Sequence, residues 1–231
     1  MTEPLRLIAL MGRAGAGKDS VAATLVRHLN YRSVAFADAL RAEIAECWRI
    51  DPRMLQEPAT KEWAIPALAL GNCGDPQFIR YAAQQEFSLI EPRSPRWLMQ
   101  RWGDFQRRRL GDGHYAGIVT RWIWRQAGTG WTRLVVTDLR FAIERDALCE
   151  FGARLRTVRV VRPGLPAHAG RHASEIEWLR MRADSVLLNT GTLEDLVSAT
   201  LRMEARLWAS AEDVRHASGE RVYRRRAGGA A

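Results

Sequence analysis

Five short runs of apolar residues, set apart by longer amphipathic segments, organise the sequence. The runs cover residues 5–11, 33–36, 133–138, 155–161 and 185–188. Strands of a parallel sheet are buried on both faces and read as continuous apolar runs, whereas the helices between them show a helical periodicity. The pattern therefore predicts an α/β fold of three layers, in which about five parallel strands are covered by helices on both faces.

A glycine-rich segment directly follows the first predicted strand. It consists of Gly12, Arg13, Ala14, Gly15, Ala16, Gly17, Lys18, Asp19 and Ser20, and a helical pattern follows at residues 21–29. Glycines let the backbone curl so that its N–H groups point inward, and the positive end of the next helix lies at the same place. A strand, a GxxxxGK loop and a helix in this order predict a phosphate-binding loop (P-loop) that holds a di- or triphosphate.

Three oxygen-bearing residues are candidates for holding magnesium. The P-loop usually has Ser or Thr directly after its lysine, whereas this chain has Asp19 there and Ser20 behind it. Either oxygen suits Mg²⁺, although an acid in the first helical turn is also favoured by the helix dipole alone. Asp138 ends the third predicted strand, where an acid can hold the water shell of the metal. The alternative for Asp138 is a cap on a helix that starts near Phe141.

The stretch between the second and third predicted strands is too long for a loop. Residues 39–131 are rich in helix-forming residues, tryptophan and arginine, and six prolines divide them. Connections without secondary structure are rarely this long in compact domains. We therefore expect a helical insertion, at the place where a P-loop kinase would build the pocket for the group that receives phosphate.

The charge of the chain, +9, invites a nucleic-acid hypothesis. Of the 35 basic residues only Lys18 and Lys61 are lysines, which leaves 33 arginines, and most of these are scattered. The dense runs are 107–109 and 224–226, and the second lies in a basic tail at residues 211–231 that we expect to be frayed. We therefore expect no specific nucleic-acid partner.

Other features of the composition point to the cytoplasm. Cys47, Cys73 and Cys149 are odd in number and far apart in sequence, which favours free thiols in a reducing compartment. No apolar stretch is long enough to span a bilayer, and the first predicted strand begins too early to leave room for a signal peptide. The oligomeric state stays open, with a homodimer as one option.

Six segments then occur in an order that is known from one family. They are residues 12–20 (GRAGAGKDS), 36–41 (FADALR), 95–103 (PRWLMQRWG), 137–141 (TDLRF) with Glu144, 172–175 (HASE) and 189–193 (NTGTL). Together they resemble the bacteriophage-type deoxynucleoside monophosphate kinases, which are adenylate-kinase-like P-loop kinases. The chain departs from the family at Ala39 and Arg41, where Pro and Lys are usual, and at Asp104-Phe105, where Thr-Glu is usual. These departures concern substrate preference more than reaction type.

The resemblance implies phosphoryl transfer from ATP to a deoxynucleoside monophosphate (dNMP), with Mg²⁺ bridging the phosphates. The attacking phosphate oxygen is already ionised at neutral pH, so the reaction depends on alignment and charge neutralisation rather than on a strong base. The resemblance also implies a kinase domain over residues 1–210, with 39–131 as the acceptor-binding insertion and 163–182 as a lid. The catalytic residues it implies are Lys18, Arg96 and Arg140. The residues it implies for binding the acceptor are Asp38, Arg41, Arg96, Gln100, Arg108, Arg140, His172 and Glu175.

Each assignment on the acceptor side has a structural alternative. Arg96 and Arg108 also fit solvated helix positions, and Arg140 could pair with Glu144. The tryptophans of the insertion should mostly be packing residues, although one could stack on the acceptor base.

The remaining acceptor-side residues also fit helix termini. Asp38 and Arg41 fit a helix cap and a surface base, and Ser174 could begin a helix in place of a ligand contact by His172.

Two rival functions use the same features of the sequence. Another small-molecule kinase, such as one that phosphorylates dephospho-coenzyme A, would share the P-loop and the fold. A nucleic-acid-stimulated ATPase would fit the charge, but no recognised DNA-binding motif is present.

Overall fold

A single sheet of five parallel strands forms the centre of the protein. The computed structural model describes residues 4–165 and 172–209. The strands are β1 (Arg6–Met11), β2 (Arg32–Val34), β3 (Arg133–Val136), β4 (Leu155–Val161) and β5 (Ser185–Leu188), in the order β2-β3-β1-β4-β5. All four strand pairs are parallel, as predicted from the apolar runs.

Eight α-helices surround or extend this sheet in the described part of the chain. They are α1 (Lys18–Leu29), α2 (Phe36–Trp48), α3 (Pro76–Gln84), α4 (Pro95–Leu110), α5 (His114–Gly128), α6 (Ala142–Leu148), α7 (Ala173–Ile176) and α8 (Leu193–Trp208). Six short 3₁₀ helices lie between them, at Pro52–Leu55, Pro58–Thr60, Pro66–Leu68, Leu70–Asn72, Cys149–Arg154 and Glu177–Arg180. The expected helical insertion is thus α2 to α5 with its 3₁₀ turns.

The alternation of side chains along β1 divides the core between the two faces of the sheet. Leu7 and Met11 pack on the side that carries Ile123 of α5, and Ile8 packs on the side that carries Leu25 of α1. All the residues of β1 after Arg6 are buried, as the strand of a two-sided parallel sheet requires. The three-layer α/β fold is therefore confirmed.

The insertion has a core of its own, made largely of aromatic rings. Phe78 of α3 lies 5.0 Å from Trp102 of α4 and 5.4 Å from Trp48 of α2, measured between ring centroids. The tryptophans of the insertion were expected to be packing residues, and Trp63 and Trp124 are exceptions, because they are 64% and 48% exposed. This core fixes α4 against α2. The face of α4 that points away from the core is therefore held in a defined position.

The start of α2 differs from the sequence prediction. Phe36 was expected to end the second strand, but it begins α2, because Asp138 accepts hydrogen bonds from the backbone N–H groups of Phe36 (2.7 Å) and Ala37 (3.0 Å). The alternative role of Asp138 as a cap near Phe141 is wrong, since Glu144 accepts from the Phe141 N–H at 3.0 Å. Asp138 thus joins the end of β3 to the first turn of α2.

Some expectations fall on parts of the chain that lie outside the described residues. They are the frayed basic tail at residues 211–231 and the segment 166–171 of the expected lid. Across residues 4–165 and 172–209, no helix combines the length and the apolar character needed to cross a membrane. The three cysteines are free thiols as expected, and burial raises the pKa of Cys73 to about 12.

Candidate active site

The P-loop adopts a backbone that only glycine permits at two positions. Gly12 has φ of 146°, and a Cβ atom there would lie 2.4 Å from the carbonyl oxygen of Val160. Gly17 has φ of 101°, and its Cβ would lie 2.6 Å from the Asn189 amide nitrogen. That same amide donates to the carbonyl oxygen of Ala16 at 3.0 Å. The loop is therefore held between β4 and the residue after β5, at the carboxyl ends of the strands.

The side chain of Lys18 folds back over the P-loop. Its Nζ donates to the carbonyl oxygens of Gly12 and Arg13, at 2.9 Å each. Burial and the charge of Arg140 lower the pKa of Lys18 to about 8, while Asp19 is foremost among the acids that oppose this shift. Such an ammonium favours a ligand that brings negative charge, because an anion compensates both the burial and the neighbouring cation.

The three magnesium candidates are in different surroundings. Asp19 is exposed at the start of α1, and Ser20 is half-buried beside it. Both carboxylate oxygens of Asp138 bind the start of α2, and burial raises the pKa of this acid. Within the described residues no group of three or more His, Cys, Asp or Glu side chains could hold a metal. Magnesium in phosphoryl transfer takes one or two protein oxygens and completes its shell with phosphates and water, which Asp19 and Ser20 fit.

A cleft of about 880 Å³ lies between α4 and the segment that starts at His172. Its lining residues are Glu62, Arg96, Gln100, Arg101, Asp104, Arg107, Arg108, Asp112, His172, Ala173 and Glu175. Five of the predicted acceptor residues are therefore brought together here: Arg96, Gln100, Arg108, His172 and Glu175. No described tryptophan lines the cleft, so stacking of a base on tryptophan has no support at this site.

Glu175 joins two predicted phosphate-binding arginines. Its Oε1 accepts from the Nη1 atoms of Arg96 and Arg140, at 3.0 Å each, and its side chain is only 7% exposed. Arg96 also donates through Nε to Glu62. The alternative of a side-chain pair between Arg140 and Glu144 is wrong, because Glu144 accepts from the backbone N–H of Arg140 at 2.8 Å. The Arg140 guanidinium is thereby free to turn toward Glu175.

His172 contacts an acid that the sequence analysis noted only as a departure from the family. Its Nε2 lies 3.1 Å from Asp104 Oδ2, and Arg107 donates to Asp104 Oδ1 at 2.6 Å. Burial alone would raise the pKa of Asp104, but its bonds with His172 and Arg107 outweigh burial and lower it. The alternative of a helix start in this segment is confirmed, one residue earlier than Ser174, since α7 begins at Ala173 and His172 is its N-cap, with Nδ1 3.3 Å from the Ser174 backbone nitrogen. The aspartate therefore stays ionised beside basic groups on one wall of the cleft.

Asp38 takes the role of a helix cap that was left open for it, whereas the alternative of a surface base is wrong for Arg41, whose side chain is only 18% exposed. Asp38 Oδ2 accepts from the Ala35 backbone N–H at 2.8 Å, which caps α2, and Arg41 Nη1 donates to Asp38 Oδ1 at 2.6 Å. Neither residue lines the cleft, so their contact with an acceptor stays a prediction.

Lys61, which had no predicted role, lies next to the cleft without lining it. It is half-buried, and its carbonyl oxygen accepts from the Arg96 backbone N–H at 3.1 Å. The signal that could have identified it is the rarity of lysine, since Lys18 is the other one in a chain with 33 arginines.

The chain is similar to a protein of Acanthamoeba polyphaga mimivirus that carries the provisional name deoxynucleotide monophosphate kinase. The identity is 26% over an alignment of 207 residues, which spans 83% of this chain and 92% of the viral protein. No protein-family model matches the chain.

Two solved structures align with 90% of this chain and with all of their own. An unliganded sugar kinase from a Janibacter species is 15% identical, with a TM-score of 0.45. A protein from Thermus thermophilus is 20% identical, with a TM-score of 0.46. Because both TM-scores are low, the fold assignment depends on the observed sheet and P-loop.

Proposed function

We propose that the protein transfers the γ-phosphoryl group of ATP to the 5′-phosphate of a deoxynucleoside monophosphate, giving ADP and a deoxynucleoside diphosphate. The observation that carries the proposal is the carboxylate of Glu175 between Arg96 and Arg140. Arg96 lines the cleft, and Arg140 is a charged neighbour of Lys18 in the P-loop. A place suited to an anion therefore connects the cleft with the donor loop, as transfer between two phosphates requires.

On the donor side, the loop amides and Lys18 bind the β- and γ-phosphates. Lys18 exchanges its two carbonyl partners for phosphate oxygens, which are better acceptors for an ammonium because they are charged. Its charge then neutralises the negative charge on the transferring group. Asn189 keeps the loop in place through Ala16, so the loop amides need little reorganisation when ATP binds.

On the acceptor side, Arg96 and Arg140 orient the monophosphate. Guanidinium groups match phosphate oxygens bidentately, and the acceptor phosphate takes the hydrogen bonds that Glu175 now accepts. One oxygen of that phosphate attacks the γ-phosphorus, the bond from the γ-phosphorus to the β–γ bridging oxygen breaks, and ADP leaves with that oxygen. No proton has to move, because the attacking oxygen is ionised at neutral pH.

Magnesium fits this arrangement through Asp19 and Ser20. We favour these two over Asp138, because both oxygens of Asp138 hold the start of α2. When bound, the ion supplies charge neutralisation between the donor phosphates. Asp19 is also a charged neighbour of Lys18, so this acid lies close to the phosphate-binding lysine.

The deoxynucleotide as acceptor has separate support. The mimivirus protein carries a name for this activity and aligns with most of this chain. The cleft adds Gln100, whose amide can read the edge of a base, and the pair of His172 with Asp104. The polar lining suits a small, charged and hydrogen-bonding substrate.

A panel of acceptors tests the proposal. ADP release is measured with ATP and Mg²⁺ in the presence of each of the four dNMPs, the four ribonucleoside monophosphates, dephospho-coenzyme A or DNA, with Lys18→Ala as the control. We expect ADP release with at least one dNMP and its loss in the control. Release with dephospho-coenzyme A but no dNMP, or with DNA and no small acceptor, would reject it in favour of another kinase or an ATPase.

A further inference from the structure

Lys61 is fixed next to the predicted acceptor arginine. It follows the 3₁₀ helix Pro58–Thr60, and its carbonyl oxygen accepts from the backbone N–H of Arg96 at 3.1 Å. Its neighbour Glu62 pairs with the Arg96 guanidinium and lines the cleft. The position of Lys61 therefore depends on the first turn of α4, which belongs to the acceptor wall.

Three cations act on Lys61. They are Arg41, Arg96 and Arg140, and their combined effect is opposed by Asp19, the strongest single charge that acts on it. Its ammonium has no hydrogen bond or ion pair with the described residues. Burial is the main cause that lowers the pKa of Lys61, and the three arginines add to it. A half-buried cation among cations is unfavourable unless an anion joins it.

The two lysines of the chain share two charged neighbours. Asp19 and Arg140 act on both Lys18 and Lys61. Lys18, on the P-loop, and Lys61, beside the first turn of α4, therefore interact electrostatically with the same acid and the same arginine. A lysine has rotatable donors on a flexible stem, so it can follow a phosphate oxygen as a reaction proceeds, whereas an arginine fork holds one geometry.

We propose that Lys61 binds the 5′-phosphate of the acceptor, together with Arg96 and Arg140, as a further substrate-binding residue of the transfer centre. This inference rests on the proposed function and deepens it. The ligand chemistry is a phosphate monoester dianion, whose two charges offset part of the excess of positive charge around Lys61.

The rarity of lysine makes a direct binding test simple. Protein labelled with ¹³C at lysine Cε gives two side-chain NMR signals, and Lys61→Met identifies which signal is which. We expect inorganic phosphate and an accepted dNMP to shift the Lys61 signal and to raise the pKa of its ammonium, while a non-hydrolysable ATP analogue shifts mainly Lys18. If neither inorganic phosphate nor any of the four dNMPs shifts the Lys61 signal, the proposal is wrong.

Kinetics supply the second test, with a matched control. Arg53 lies on a neighbouring 3₁₀ helix, where its side chain pairs with Asp51 and is 86% exposed. Arg53→Met therefore also removes one positive charge, but at a position that does not line the cleft. Lys61→Met should lower kcat/KM for the dNMP about 10- to 100-fold, as loss of a charge-assisted hydrogen bond does, with the KM for ATP within about twofold. Lys61→Arg should recover part of the loss, since it restores the charge.

The outcomes separate this inference from the proposed function. If inorganic phosphate shifts the Lys61 signal but the wild-type protein phosphorylates no dNMP, the anion site stands and the proposed substrate is wrong. If a dNMP is phosphorylated and Lys61→Met behaves as Arg53→Met does, the function stands and Lys61 has no part in it.

Discussion

Replacing Asp138 with alanine should destabilise the fold without changing the magnesium response. The carboxylate accepts from the N–H groups of Phe36 and Ala37, at 2.7 and 3.0 Å, and both donors lose their partner in the variant. A buried donor without a partner costs about 1–3 kcal/mol, so two cost about 2–6 kcal/mol. Part of this is offset, because burial raises the pKa of Asp138 and its charge is itself unfavourable there. We expect a net loss of about 2–4 kcal/mol, or about 4–16 °C in Tm for a chain of this size.

Asp138→Asn serves as the graded control. Its side-chain oxygen keeps one of the two backbone N–H groups satisfied, so we expect about half the loss in Tm. Thermal unfolding by circular dichroism gives the Tm, and ADP release titrated with Mg²⁺ gives the metal requirement. An alanine variant with unchanged Tm and a raised magnesium requirement would instead show that Asp138 acts on the metal and not on the start of α2. Asp19→Asn, by contrast, should raise the requirement and leave Tm almost unchanged.

Three further predictions concern single side chains. Lys18→Ala should lower phosphoryl transfer about a hundredfold or more with little change in Tm, and near-normal turnover would contradict the P-loop assignment. Arg96→Lys cannot bind the acceptor phosphate through two parallel hydrogen bonds, so we expect a fall in kcat/KM for the dNMP that corresponds to about 1–3 kcal/mol. Separate titrations of ATP and dNMP check this, and weakened ATP binding alone would place Arg96 on the donor side. Burial raises the pKa of Glu144 from 4.5 to about 8, so its contribution to stability is present at low pH and lost as pH rises through 8. Glu144→Gln should remove this pH dependence of the free energy of unfolding, which amounts to at most about 5 kcal/mol and is measured by chemical unfolding from pH 5 to 9. The same pH profile in the variant and the wild-type protein would contradict the prediction.

Local patterns were enough to predict the sheet and the P-loop. Apolar runs at residues 5–11 and 155–161 became β1 and β4, because a strand buried on both faces has to be apolar along its length. The P-loop could also be predicted from its glycines, since the positive φ at Gly12 and Gly17 excludes most other residues.

Contacts between distant segments were beyond the sequence. Phe36 reads as the end of a strand, and only the carboxylate of Asp138, 102 residues away, makes it the start of a helix. Arg140 and Glu144 have the spacing of a helical pair, yet the guanidinium contacts Glu175, 35 residues further on. Spacing along the chain reports neighbours on one element, whereas a site at the ends of several strands is built from many elements.

Transfer of the phosphoryl group from ATP to a deoxynucleoside monophosphate can be followed with a radioactive label. The direct measurement uses ATP labelled with ³²P at the γ-position, Mg²⁺ and each dNMP, followed by chromatographic separation of the products, for the wild-type protein and Lys18→Ala. We expect label in a deoxynucleoside diphosphate for the wild-type protein and its loss in the variant. Label found only in inorganic phosphate, with no labelled deoxynucleoside diphosphate, would show that the protein hydrolyses ATP and does not phosphorylate a dNMP.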